Sequence, residues 1–247
     1  MSLFDNTMTD ATMPAQQTGF EFPAALVDKY QPQTVAEFLC ERPRKIMSGF
    51  LRNPFPSAWY FLGASGTGKT TMALALANQI PAQLHHVASK ECTLQTVQDI
   101  AKQCYFMPRM ATDWKPCKLH LVLVDEADQM SSAAALAWLS ILDATRWPPN
   151  TMFIFTGNSR DGLEDRFMSR VKLVEFSSYG LNTAIAALLA RVWAIEAGSA
   201  PAPNFARIVK EAKNNVRDAL NVLETELMAA EPSEPQSSAG LLVPASA

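Results

Sequence analysis

The sequence predicts an α/β protein with a parallel five-stranded sheet flanked by helices, followed by a small C-terminal all-helical subdomain. Three observations predict it. Short apolar runs alternate with helical patterns from about residue 59 to residue 176. The run Leu119-His120-Leu121-Val122-Leu123-Val124 shows little polar alternation, as a central strand covered on both faces requires. After Phe176 apolar residues recur only at helical spacing and no further strand follows. A chain of 247 residues is long enough for one sizeable core and a small second subdomain.

In chain order, residues 1–23 are polar and Thr-rich and are expected to be flexible. Strands are expected at 59–62, 84–87, 119–124, 152–156 and 171–176, with helices between them at 69–80, 93–104 and 131–145. The last of these begins at a serine, a good N-cap. Together residues 24–179 form the expected α/β core. Ile185, Leu188, Leu189, Val192 and Ile195 then mark a helix, the sequence GSAPAP at 198–203 breaks it, and 205–212 and 215–228 read as two more. These make a helical subdomain over 180–230. Residues 231–247, rich in Pro, Ser and Ala, read as a disordered tail.

Composition narrows the function classes. With 21 basic and 24 acidic residues the net charge is −3, which creates no long-range field to draw in DNA, so any nucleic-acid contact must come from a local patch. Cys40 stands alone, and Cys92, Cys104 and Cys117 lack the paired spacing of zinc sites. They read as reduced structural thiols in a cytoplasmic protein. The N-terminus has no basic start followed by an apolar run, and no apolar stretch is long enough to cross a bilayer.

Gly63-Ala64-Ser65-Gly66-Thr67-Gly68-Lys69-Thr70 follows an expected strand and opens an expected helix, and it matches the P-loop pattern in full. The glycines let backbone N–H groups wrap phosphates, and the helix N-terminus adds partial positive charge. Lys69 is placed to reach the β- and γ-phosphates of ATP and Thr70 to ligate Mg2+, with Thr71 beside them. A second cluster, Asp125-Glu126-Ala127-Asp128, ends the strand at 119–124, where a buried strand delivers carboxylates to the edge at which open α/β sheets bind ligands. Asp125 is placed to hold the Mg2+ and Glu126 to act as general base on the attacking water. Asn158 follows the next strand. Alone, Asn-Ser after a strand is a turn, but at the same edge its amide can orient water beside the γ-phosphate.

These motifs, over about residues 26–228, resemble the AAA+ ATPase superfamily, and within it most closely the clamp-loader branch: the small subunits of replication factor C and their bacterial and phage counterparts. Asp-Glu-Ala-Asp is that branch's spelling of the second motif. Val27-Asp28-Lys29-Tyr30-Gln31-Pro32-Gln33-Thr34 is similar to the segment that caps the adenine, with Gln31 where an arginine is usual. The resemblance makes Val27, Tyr30 and Pro32 the adenine-side candidates. Ala88-Ser89 also resembles the family, but Lys90 departs from its customary aspartate. Ser169-Arg170-Val171 resembles the Ser-Arg-Cys motif, which implies that Arg170 enters the ATP site of a neighbouring subunit. Arg166, four residues earlier, is the rival for that role or a second contact. Val216-Arg217-Asp218-Ala219-Leu220 resembles the motif that presents a second sensor arginine, so Arg217 is expected to reach the γ-phosphate from the lid.

Two features depart from relatives. The stretch Lys90-Glu91-Cys92-Thr93-Leu94 has no aromatic residue next to a glycine, which disfavours the threading of protein substrates. The sequence after the third lid helix is expected to carry no collar domain. The resemblance implies an ATPase in an oligomer of AAA+ subunits, acting on DNA with a sliding clamp or other replication partner. Lys90, residues 93–95, Arg109, Lys115 and Lys118 are the DNA-contact candidates, the last three also reading as an ordinary solvated loop. The alternative is an ATP-controlled switch or adaptor in recombination, transposition or helicase loading, with the same site residues. Ser2-Leu3-Phe4 is similar to the end of bacterial clamp-binding peptides, without their initial glutamine.

Overall fold

The computed structural model describes residues 23–108 and 117–230. Residues 1–22 and 231–247, with Ser2-Leu3-Phe4, and the candidates Arg109 and Lys115 lie outside the described residues. The sheet has five strands, β1 (Ser57–Gly63), β2 (Ala82–Ala88), β3 (Leu119–Asp125), β4 (Thr151–Gly157) and β5 (Lys172–Phe176), in the order β2-β3-β4-β1-β5. All four pairings are parallel. Every strand therefore ends at one edge, and that edge collects Gly63, Asp125 and Gly157.

The strand cores follow from sequence pattern. Along β4 every residue is buried, and along β3 all five between its two ends are, because helices cover both faces. One face packs against α2 (Glu41–Arg52) and α3 (Lys69–Gln79) through Met47, Phe50, Met72, Leu76, Phe61 and Ile154. The other packs against α4 (Leu94–Cys104) and α5 (Ser132–Ile141) through Val97, Ile100, Trp138, Phe153 and Phe155. Trp138 meets both phenylalanines edge-on with centroids 5.7 Å apart, a favoured aromatic geometry.

Two helices differ from expectation. The helix expected at 131–145 is capped by Ser131, whose hydroxyl accepts the Ala134 N–H at 3.3 Å, but it ends at Ile141. Asp143 takes over the backbone there: its carboxylate accepts the Thr145 N–H at 3.1 Å and hydroxyl at 2.8 Å, a local turn that competes with helix. The helix α2 was not anticipated, because Pro43 and Gly49 interrupt its pattern. Pro43 lies in the first turn, where its missing N–H costs no helical bond, and with Met47 and Phe50 it forms the buried face. A short helix α6 (Asp165–Met168) precedes β5.

The C-terminal unit consists of α7 (Asn182–Glu196), α8 (Phe205–Glu211) and α9 (Val216–Ala229) around Ile185, Leu189, Trp193, Ile208 and Leu223. A first short helix, α1 (Leu26–Lys29), joins this cluster: Leu26 is buried in it, and its N–H donates to Glu224 Oε1 at 3.1 Å. Among the described residues no helix is long and apolar enough to cross a membrane.

Candidate functional site

The glycine loop leaves β1 where Gly63 abuts Phe176 of β5, so closely that a side chain at Gly63 would collide with backbone. Gly66 and Gly68 take positive φ of 74° and 89°, a region that side chains rarely tolerate. Gly68 is also the N-cap of α3, which aims that helix's free N–H groups into the loop. Thr67 fixes the turn by donating its hydroxyl to Ala64 O at 2.8 Å. Ala64 and Ser65 form the exposed crest.

Lys69, the first residue of α3, is buried. Its ammonium donates to Gly63 O at 2.7 Å, Ala64 O at 2.9 Å and Asn158 Oδ1 at 3.0 Å. Burial pushes its pKa below the ordinary lysine value, opposed by the charges of Asp125 and Asp128. Thr70 donates its hydroxyl to Asp125 Oδ1 at 2.7 Å, so a hydroxyl and a carboxylate from two separated motifs converge beside the loop. That pair has the hard oxygen donors that Mg2+ selects.

A residue not anticipated from sequence completes this corner. Thr156, buried near the end of β4, donates to Asp125 Oδ1 and accepts the Glu126 N–H at 3.0 Å. Glu126 itself is held at φ 52°, ψ 46°, with its side chain exposed. His86 of β2 lies 3.9 Å from Asp125 Oδ2. Asp128 positions the neighbouring loop, because its Oδ2 accepts the N–H groups of Asn158 at 3.1 Å and Ser159 at 3.3 Å. Tyr60 closes that loop from below by donating to Ser159 O at 2.7 Å, and burial raises its pKa. A side chain at Gly157 would collide with the Tyr60 hydroxyl.

Facing the loop is a cleft of about 1040 Å³ between the α/β core and the helical unit. Gly66, Thr67, Gly68 and Thr71 line one wall, Val27, Tyr30 and Pro32 a second, and Arg217 with Val216 and Leu220 a third. Tyr30 donates to the Glu196 carboxylate, which Lys29 also reaches at 2.7 Å. Burial and that partner raise the Tyr30 pKa to about 12, so its phenol stays protonated. Gln31 reaches Thr71 Oγ1 at 3.5 Å. Arg191 of α7 also lines the cleft, and no motif announced it. Asn215 bridges the two units: its side-chain NH2 donates to Ser65 O at 3.2 Å and would collide with any side chain at Gly66.

Arg170 and Arg166 do not line this cleft. Arg170 is exposed just past α6, donates to Arg166 O at 2.8 Å and lies 3.8 Å from Asp143. Arg166 is paired with Glu164. Lys90 and Gln95 are exposed near the C-terminal end of β2, on the loop's side of the sheet, whereas Lys118 precedes β3 at the opposite edge. The Thr93 hydroxyl is engaged as the N-cap of α4.

Residues 59–179 match the family model for the ATPase family associated with various cellular activities (AAA). The replication factor C small subunit 2 of Pyrobaculum islandicum is 31% identical over 157 residues, 61% of this chain and 47% of that protein. The sliding-clamp-loader large subunit of Escherichia phage RB69 is 26% identical over 156 residues, 61% of this chain and 46% of its own. This chain thus spans about half the length of these curated relatives. The Thermotoga maritima RuvB Holliday junction branch migration motor superposes with a TM-score of 0.65 at 15% identity, covering 78% of this chain and 64% of its own. That likeness is one of fold.

Proposed function

We propose that this chain, similar to the AAA family and to clamp-loader subunits, is an AAA+ ATPase that binds ATP with Mg2+, hydrolyses it at subunit interfaces and acts on DNA in replication. The observation that carries the proposal is the meeting of Thr70 and Asp125 at 2.7 Å beside Lys69, which itself bonds Asn158. Here two motifs and a third polar group share one strand edge behind a glycine loop.

In this reading the backbone N–H groups from Gly63 to Thr71 bind the phosphates, and Lys69 exchanges its loop carbonyls for β- and γ-phosphate oxygens. Thr70 and Asp125 hold Mg2+, which when bound neutralises charge on the phosphates. Glu126 takes a proton from the attacking water, and Asn158, fixed by Asp128, orients that water. Val27, Tyr30 and Pro32 enclose the base, while Arg217 reaches the γ-phosphate from the lid. Arg170, outside its own chain's cleft, serves the site of the next subunit, where such an arginine contributes on the order of 10³–10⁵ in rate. Arg166 is its rival, already engaged by Glu164. The partners are further AAA+ subunits, DNA and a sliding clamp or other replication protein, with Lys90 and residues 93–95 as the DNA side. The free cysteines, three of them buried, fit a cytoplasmic setting.

Glu126→Gln tests the chemistry. It should bind ATP as tightly as wild type by isothermal titration, yet release phosphate at least about 100-fold more slowly, within the range general-base catalysis contributes. Turnover at the wild-type rate would refute the role. Stimulation of wild-type turnover by primed DNA together with a sliding clamp tests the replication assignment, and a rate indifferent to both would favour the switch or adaptor reading.

A further inference from the structure

The second chemically distinctive cluster lies at the opposite edge of the sheet from the glycine loop. In the β2–β3 register Gln83 faces His120 and His85 faces Val122, so the two histidines are diagonal neighbours on one face. Cys104, the last residue of α4, packs onto that face in the same cluster as Val122. Cys104 and His120 are buried and His85 is half-buried. His85 Nε2 lies 3.0 Å from His120 Nδ1, and one ligand atom from each of the three residues lies within 4.8 Å of the others.

The hydrogen bonds around the cluster assign its protons. His120 Nε2 is 2.9 Å from Phe106 O, and a carbonyl can only accept, so Nε2 carries the hydrogen and the bare Nδ1 points at His85. A ligating histidine is commonly oriented in this way, with its other N–H on a backbone carbonyl. The Cys104 thiol sits beside Thr151, whose hydroxyl donates to Pro149 O at 2.9 Å. A satisfied imidazole pair beside a core thiol is the competing account of these contacts. It explains each bond but not why three soft or borderline ligands from three elements converge within 4.8 Å of one another beside a largely apolar cluster.

We propose that His85 Nε2, His120 Nδ1 and Cys104 Sγ bind one zinc-class ion. Zn–N bonds of about 2.0–2.1 Å at a tetrahedral angle put two nitrogens about 3.3 Å apart, so on binding the imidazoles part by about 0.3 Å and turn until both lone pairs meet the ion. Water on the half-exposed His85 side supplies the fourth ligand. On binding, the Cys104 proton leaves to solvent and the His85 proton moves from Nε2 to Nδ1, a net release of one proton per ion. Because β3 delivers His120 near one end and Asp125 at the other, the ion stands apart from the ATP site and acts structurally. It clamps the end of α4 to β2 and β3, and with it the exposed run Tyr105-Phe106-Met107.

The test uses the full chain, stripped with chelator and kept free of nucleotide. Titration with Co2+ should give thiolate-to-metal charge-transfer absorption and tetrahedral d–d bands saturating at one ion per chain, and Zn2+ should displace the cobalt and raise the thermal midpoint. Cys104→Ser should lose the charge-transfer band, and His85→Gln should weaken binding at least about 100-fold, with Cys117→Ser unchanged. Circular dichroism checks that each variant folds, and the half-buried His85→Gln is decisive if Cys104→Ser does not. No charge-transfer band in wild type, or the same band and affinity in folded variants, would overturn the site.

Discussion

At Thr156 a single hydroxyl accepts the Glu126 N–H and donates to the Asp125 carboxylate, so it couples the backbone of the proposed base to the carboxylate proposed to hold Mg2+. Thr156→Val removes that hydroxyl at nearly constant volume and leaves both groups short of a partner. Hydrogen bonds to charged groups contribute about 1.5–3 kcal/mol, so kcat/KM for ATP should fall about 10- to 100-fold while the fold persists. Steady-state phosphate release beside a thermal melt checks this, and an unchanged kcat/KM would show that Thr156 is only a core residue. The residues whose convergence was legible from sequence, from Gly63 to Thr71 and at Asp125 and Glu126, are those that stand in contiguous motifs. Thr156, His86 and Arg191 were not, because their roles depend on contacts between elements about 30 or more residues apart in the chain. The same reason hid His85, Cys104 and His120: cysteine spacing alone argues against zinc, and only strand register brings the histidines in.

Among the elements, α9 is both capped and tied to the glycine loop by one side chain. Asn215 Oδ1 accepts the N–H groups of Arg217 at 3.0 Å and Asp218 at 3.3 Å, capping the helix, while its NH2 donates to Ser65 O. Asn215→Ala should cost about 1 kcal/mol of stability, the usual worth of an N-cap, and also weaken ATP binding by freeing the Arg217 end of the lid. Asn215→Asp separates the two effects, since it keeps the cap but turns a donor into an acceptor facing Ser65 O. Its thermal midpoint should stay near wild type while ATP affinity drops, and equal affinity in all three proteins would mean the bridge carries no nucleotide linkage. Strands β1, β3 and β4 were legible because buried parallel strands read as continuous apolar runs. The end of α5 was not, since Asp143 and Thr145 divert the backbone through side-chain bonds that no periodicity records.

For the whole molecule, the decisive question is where Arg170 acts. It lies outside its own cleft, so Arg170→Ala should bind ATP normally as an isolated subunit and lose most hydrolysis. Mixing it with excess Lys69→Ala subunits recreates interfaces with one intact site and one intact arginine, and turnover should rise. Co-assembly without recovery would assign the role to Arg166 or to the same chain. If ATP bridges Lys69 and Arg217 of one chain to Arg170 of the next, assembly is linked to nucleotide. Sedimentation velocity at micromolar protein should show small species without nucleotide and a larger ring or arc with a non-hydrolysable analogue. One oligomer size in every condition would contradict that linkage.

The packing of α1 against α9 has a mechanical consequence. Leu26 is bonded to Glu224, and Lys29 and Tyr30 to Glu196, so the first helix rides on the lid although the chain then passes into the core. The polypeptide crosses between the two units at 31–34 and again at 177–181, and the Cys40 thiol, 3.5 Å from Ser177 O, holds the second crossing beside the core. Val27 and Tyr30 therefore belong with Arg217 to one jaw. If nucleotide binds as proposed, opening that jaw withdraws the base-side residues and Arg217 in a single movement, while the glycine loop and Lys69 of the core keep their hold on the phosphates. ATP analogues labelled on the base and on the terminal phosphate should then report one common opening step in stopped flow, whereas two distinct opening rates would mean the jaw bends within itself.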